Sequence, residues 1–176
     1  MKINQVFSNF YTDIEYKQLS EYIDNVVYKS NNYTREDKLG RYYGVIQDNW
    51  KTGVSIGGFP QNLLDKTNRF AENYFGIDKL QVFDIIIIKY CTDFGFVPKL
   101  DMHKDGGVLT KYTIDYQHSA NIDWPVTVED QEYQMTDNSV VTFIGTKQMH
   151  GRTNRVFNSN EYVQNIFFQF IEKREQ

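Results

Sequence analysis

At Lys79 the sequence changes period, and that change limits the folds open to it. Before it, apolar residues recur every three or four positions; after it they come in short alternating or continuous runs. Thr12-Asp13, a pair suited to capping a helix, precedes Ile14, Tyr16, Leu19, Tyr22, Ile23, Val26 and Val27. This spacing predicts an amphipathic helix of about four turns. A second helix is predicted to start at Pro60 as its first helical residue, to run through Leu63, Leu64, Phe70, Ala71, Tyr74 and Phe75, and to stop at Gly76. Beyond Lys79, strands are predicted at residues 82–90, 112–116, 124–128, 140–144 and 162–171, within a set of about six to eight joined by short turns such as Asp137-Asn138. Two helices followed by a block of antiparallel strands read as α+β, with the helices packed on one sheet of a β-sandwich or jelly roll.

Length and composition set the outer bounds. A chain of 176 residues is expected to be a single domain, with 1–78 mostly helical support and loops and 79–172 the jelly-roll core. Apolar residues at 40% are enough for a packed interior. The longest uninterrupted apolar run, residues 85–88, is strand-sized and far from the roughly 18 residues of a membrane span. Residues 1–10 carry one lysine and no apolar stretch, so no secretory leader is expected, and the expected compartment is the cytoplasm. A lone cysteine, Cys91, excludes an intramolecular disulfide and a cysteine-based zinc cluster. A net charge of −4 disfavours nucleic acid as a partner. Residues 53–58 are glycine-rich without forming a dinucleotide or phosphate-binding pattern. Aromatics, at 16%, suit either a half-buried pleated core or the lining of a pocket.

Histidine chemistry must draw on three residues, His103, His118 and His150. His103 stands in Leu100-Asp-Met-His-Lys-Asp-Gly-Gly107, at a predicted strand end before a glycine turn. Residues two apart on a strand face the same side, so His103 and Asp105 can aim an imidazole and a carboxylate at one point. Gly106-Gly107 lets the chain reverse without crowding it. His150 follows 47 positions later, also at a strand end, and can complete a two-histidine, one-carboxylate set of the kind that holds iron(II). The competing reading is a plain turn with a hydrogen-bonded histidine. His118 is either a surface residue or an alternative to His150.

In order and spacing, Asp84-Ile-Ile-Ile-Ile-Lys-Tyr90, then His103-Lys-Asp105, then Asn138-Ser-Val-Val-Thr-Phe-Ile-Gly145 ahead of Met149-His-Gly-Arg152, the chain resembles the iron(II)- and 2-oxoglutarate-dependent dioxygenases. The likeness is to their prolyl-hydroxylase-like branch, in the small form found in phage and marine bacteria, and covers about residues 81–171. It implies a double-stranded β-helix, with Fe(II) held by His103, Asp105 and His150. 2-Oxoglutarate would chelate the metal as cosubstrate, and O2 would oxidise a protein side chain or a small molecule. The carboxylate ligand, which related halogenases lack, favours hydroxylation. The far carboxylate of 2-oxoglutarate needs a cation. The family's usual arginine on the last strand has no counterpart here, since residues 162–171 contain neither arginine nor lysine. Arg152 shares strand parity with His150 and is the first choice; Arg155, facing away, and Lys111 follow, and the Tyr90 hydroxyl is placed to assist.

Two other classes stay open at this level: a cupin-like metal enzyme that does not use 2-oxoglutarate, and a non-enzymatic jelly-roll module that binds through its aromatic residues. Trp124-Pro125 reads as pocket wall or as packing. Residues 31–59, rich in turn formers and carrying Tyr33, Tyr42, Tyr43 and Trp50, read as a loop suited to cover a substrate.

Overall fold

The isoleucine-rich run is buried on both sides because it lies between two different interiors. In this computed structural model, which describes residues 4–29, 33–36, 39–48, 58–92 and 97–173, the strands are β1 (Val6–Phe7), β2 (Thr34–Glu36), β3 (Arg41–Asp48), β4 (Leu80–Cys91), β5 (Leu100–His103), β6 (Tyr112–Ala120), β7 (Val126–Val128), β8 (Gln131–Tyr133), β9 (Ser139–Ile144), β10 (His150–Arg152) and β11 (Tyr162–Glu172). They form a seven-stranded sheet in the order β1-β9-β6-β11-β4-β3-β2 and a four-stranded sheet in the order β5-β10-β7-β8. All pairs are antiparallel. This is the expected double-stranded β-helix.

On β4, Ile85 and Ile87 join a core with Leu19, Leu63, Ala71, Ile114, Ile166 and Phe168. Its other parity, Ile88 and Tyr90, packs with Trp124, Phe157, Val163 and Phe167 between the sheets. A strand buried on both faces reads as a continuous apolar run.

Helices α1 (Asp13–Tyr22) and α2 (Gln61–Phe75) cover the outer face of the large sheet. Thr12 caps α1 in a reciprocal box with Glu15, and the helix continues as a π-helical turn over Ile23–Tyr28. Ile14 does not belong to the buried stripe: it is 83% exposed. It lies five residues from Leu19, about 140° around the helix from that seam. Pro60 is the residue before α2 rather than its first turn, with an extended ψ of 117°, and Gly76 ends the helix in the left-handed conformation. Asn138, at φ 58°, ties the N-terminal segment to the sheet. Its Oδ1 accepts from Tyr11 N at 2.9 Å and its Nδ2 donates to Tyr11 O at 2.6 Å.

The segment read as a loop at 31–59 contains the hairpin β2–β3, and β3 pairs with β4, with Arg41 opposite Tyr90. Its interior glycine and turn-forming residues hid the strand; backbone pairing to β4 makes it one. Trp50 and residues 53–57 lie outside the described residues. No helix among the described residues is long and apolar enough to cross a membrane.

His118 is neither on the surface nor near the other two histidines. On β6 it shares parity with Ile114 and Tyr116, which face the helices, and its ring lies 5.0 Å from that of Tyr16. Burial pulls its pKa down to about 4, against a smaller upward pull from Asp24. An unfolded histidine titrates near 6.5, so the unfolded chain takes up this proton first and native stability is lost as pH falls from about 6.5 to about 4. Denaturant unfolding at pH 7 and pH 4.5 should show wild type losing about 2–3 kcal/mol more than His118→Gln. Parallel losses would show that His118 contributes nothing to acid sensitivity.

Candidate metal centre

Two short strands bring the site together. β10 lies antiparallel to β5 with His150 directly opposite His103, and the two rings stand 4.4 Å apart at 53°. Asp105 follows β5 by two residues. Its Oδ1 lies 3.8 Å from His103 Nε2 and 3.6 Å from His150 Nε2. One ligand atom from each residue falls within a 4.8 Å set, with the geometry of a site for one ion.

Neighbouring backbone decides which atoms point inward. His103 Nδ1 is 2.8 Å from Asp101 O and His150 Nδ1 is 3.0 Å from Gln148 O. A carbonyl accepts only from a protonated ring nitrogen, so both Nε2 atoms are left as lone-pair donors toward the shared point. Gln169 Nε2 donates to Asp105 Oδ2 at 3.0 Å, leaving Oδ1 to face the histidines. Burial alone would raise the Asp105 carboxyl; the His150 hydrogen bond and the charges of His150, Lys111 and His103 hold it below its ordinary value. The donor set suits a divalent cation: two imidazole nitrogens and one carboxylate oxygen. His103 is the most open of the three, with 42% of its side chain exposed, whereas His150 is buried.

A cavity of about 110 Å³ opens on the triad. Its walls are mainly Ile86, Ile88, Leu100 and Phe167, and a cation, Arg41, lines it as well. Arg41 was not legible as a site residue in the sequence, because it stands on a strand that read as loop. Gln169 had a findable signal: it shares parity on β11 with Phe167, which faces between the sheets.

The cosubstrate candidates take different places. Arg152 is completely buried, with Nη1 donating to Trp124 O, Nη2 3.8 Å from Asp115 Oδ2, and the guanidinium 5.1 Å from the Trp124 ring centre. Arg152 Nε and Nη2, Asp115 Oδ2, Thr113 Oγ1 and Asn165 Oδ1 are buried with no hydrogen-bond partner among the described residues. So many orphaned polar atoms in one interior mark a place built for a polar ligand or water. Tyr90 is fully buried, edge-on to Trp124 at 5.1 Å; burial pushes its hydroxyl pKa up, and the charges of Arg41 and Arg152 pull it back. Trp124 packs against Tyr90, Phe157 and the Arg152 guanidinium. Lys111 is buried with its ammonium 5.4 Å from the Phe83 ring centre. Arg155 donates to Asp123 O and lines a separate cleft with Asp123, Asp137 and Glu161, away from the triad.

Asp105 is packed against Gly145, whose carbonyl accepts from Asp105 N at 2.9 Å. A Cβ on Gly145 would overlap Asp105 Oδ2 and lie 2.9 Å from its Cγ. Gly145→Ala should therefore displace the carboxylate and weaken Fe(II) or Co(II) binding by about ten- to a hundredfold, with the far-ultraviolet circular dichroism unchanged. Wild-type metal affinity in this variant would show that Asp105 is not a ligand.

No protein-family model and no curated protein sequence matches the chain. Its similarities are to solved structures. An oxidoreductase of the 2OG-Fe(II) oxygenase family from Burkholderia pseudomallei is 11% identical over 96% of this chain and 84% of that one, with a TM-score of 0.67. The viral collagen prolyl hydroxylase of Paramecium Bursaria Chlorella virus-1, in its 2OG complex, is 11% identical over 98% and 97%, with a TM-score of 0.62. HygX from Streptomyces hygroscopicus, with nickel, 2-oxoglutarate and hygromycin B bound, is 8% identical over 96% and 82%, with a TM-score of 0.65. At identities this low the likeness is one of architecture, and the architecture is that of the 2OG-Fe(II) oxygenases, with a His-Asp-His cluster facing a cavity between the sheets.

Proposed function

We propose that this chain is an Fe(II)- and 2-oxoglutarate-dependent oxygenase that hydroxylates a C–H bond of a protein side chain or a small molecule, with succinate and CO2 as co-products. The observation that carries the reading is the convergence of His103 Nε2, His150 Nε2 and Asp105 Oδ1 on one point, each held there by a neighbour, in a fold shared with such enzymes. His103, Asp105 and His150 would hold the ion at the wall of the cavity, where a chelating ligand would reach it from the cavity side. When bound there, ferrous iron with 2-oxoglutarate and O2 supplies the oxidising power for an unactivated C–H bond.

The protein's own share is binding, orientation and exclusion of water. As ligands, two imidazoles bring no negative charge and the carboxylate brings one, so a divalent ion held there would stay net positive toward an anionic chelator. Ile86, Ile88, Leu100 and Phe167 make the cavity walls apolar and narrow. Deeper in, Arg152 and Tyr90 are the groups suited to the far carboxylate, and the orphaned guanidinium nitrogens support that role. The relatives in fold span both substrate classes, one a collagen prolyl hydroxylase and one solved with hygromycin B. In this reading residues 1–176 act as one oxygenase domain. Cys91, buried and outside any disulfide, is compatible with a reducing compartment, the cytoplasm.

Asp105→Ala should abolish succinate release from 2-oxoglutarate in an assay with a peptide and metabolite panel, and chelation of iron should do the same to wild type. Unchanged turnover in the variant would overturn the assignment.

A further inference from the structure

The two oxygens of Asp105 have different surroundings. Oδ1 stands 3.8 Å from His103 Nε2 and 3.6 Å from His150 Nε2. Oδ2 is turned away from them, into the space that Gly145 leaves by having no side chain, where a Cβ would overlap it. In that slot Oδ2 accepts from Gln169 Nε2 at 3.0 Å, and among the described residues no other hydrogen bond reaches it. Gln169 is 7% exposed and shares the cavity wall with Ile86, Ile88, Leu100 and Phe167. Its place on β11 is fixed from both sides, with Thr113 of β6 opposite it on one and Asp84 of β4 on the other, and directly after it the register with β4 shifts. An amide in an apolar wall costs free energy unless its donor is used, and a leucine or methionine would fill the same wall without that cost. The hydrogen bond that its side chain makes among the described residues goes to Asp105.

We propose that Gln169 is a positioning residue that confines Asp105 to one ligand oxygen and thereby sets the metal preference of the site. This rests on the metal-centre reading above and adds to it what decides between ions. A carboxylate whose second oxygen is hydrogen-bonded in a slot of its own offers an ion Oδ1 alone. With the amide removed, Oδ2 is free to leave the slot and join Oδ1 as a ligand. Large, hard ions gain most from a carboxylate that gives both oxygens, as calcium sites do. For the later first-row ions the imidazoles carry more of the affinity. Gln169 therefore favours cobalt(II) over manganese(II), the more oxygen-preferring of the two, with iron(II) between them in the series.

The test titrates cobalt(II) and manganese(II) separately into metal-free protein, for wild type and for Gln169→Met, which keeps the volume and removes the donor. Infrared difference spectra, metal-loaded minus metal-free, follow the carboxylate bands that change on loading. Gln169→Met should weaken cobalt(II) by about ten- to a hundredfold and manganese(II) by less, narrowing the preference between them. The splitting of the carboxylate bands should at the same time fall from that of a one-oxygen ligand to that of a two-oxygen ligand. Equal weakening of both ions, or an unchanged splitting, would mean that Gln169 only supports the wall of the site and would overturn the assignment. Wild-type affinities in Gln169→Met would overturn it too, while leaving the metal centre standing. A wild-type spectrum of a two-oxygen ligand would overturn it without recourse to any variant. If wild type took up neither ion, the metal-centre reading itself would fall, and this assignment with it.

Discussion

The register between β5 and β10 is the constraint on which the site depends. Both strands are short, and their pairing sets His150 against His103 with the rings 4.4 Å apart. A slip of one residue would turn one imidazole to the opposite face, because side chains alternate along a strand. Gly151 protects that register. A Cβ there would lie 2.6 Å from Leu100 O and 3.0 Å from Asp101 O, so the close approach of the two backbones requires glycine. The same device recurs at Gly145, where the missing side chain leaves the space that the Asp105 carboxylate fills. The three side chains are thus positioned by two absences of side chain as much as by their own contacts.

Around that point the structure divides its work between the two faces of the large sheet. The helix face is apolar and aromatic and provides most of the burial; even its histidine, His118, is kept uncharged there. The inner face carries the polar groups, Thr113, Asp115, Asn165 and Gln169, with Arg152 reaching in from the small sheet. Buried polar atoms without partners are costly, so an interior that concentrates them calls for water or a polar ligand among them. The cost is tolerable because the helix face is so thoroughly packed.

Much of the fold was legible because periodicity reports burial. The strands at 82–90, 140–144 and 162–171 are seen almost as predicted, since each is buried over most of its length and long enough to show it. Where burial is partial or the element short, the signal failed. β1 has two residues, β3 reads as loop, and Ile14 is apolar but lies off the helix seam. For the site, His103-x-Asp105 was visible because both residues are local to one strand end. His150 could be offered only as a partner of the right type, since nothing local specifies which distant strand will lie beside β5.

Residue types and their local spacing determined that this chain makes helices first and strands after, and that an imidazole and a carboxylate stand two residues apart before a glycine turn. Tertiary structure alone decided that His150 meets them and that His118 does not. It also decided that Asp115 stands 3.8 Å from Arg152 and that Arg41 enters the cavity from β3. The physical reason is that spacing along a strand fixes only which side of that strand a residue takes. Which strand lies opposite, and how far a long side chain must reach, depend on backbone pairings across many tens of residues, and those follow from how the whole sheet buries its two faces.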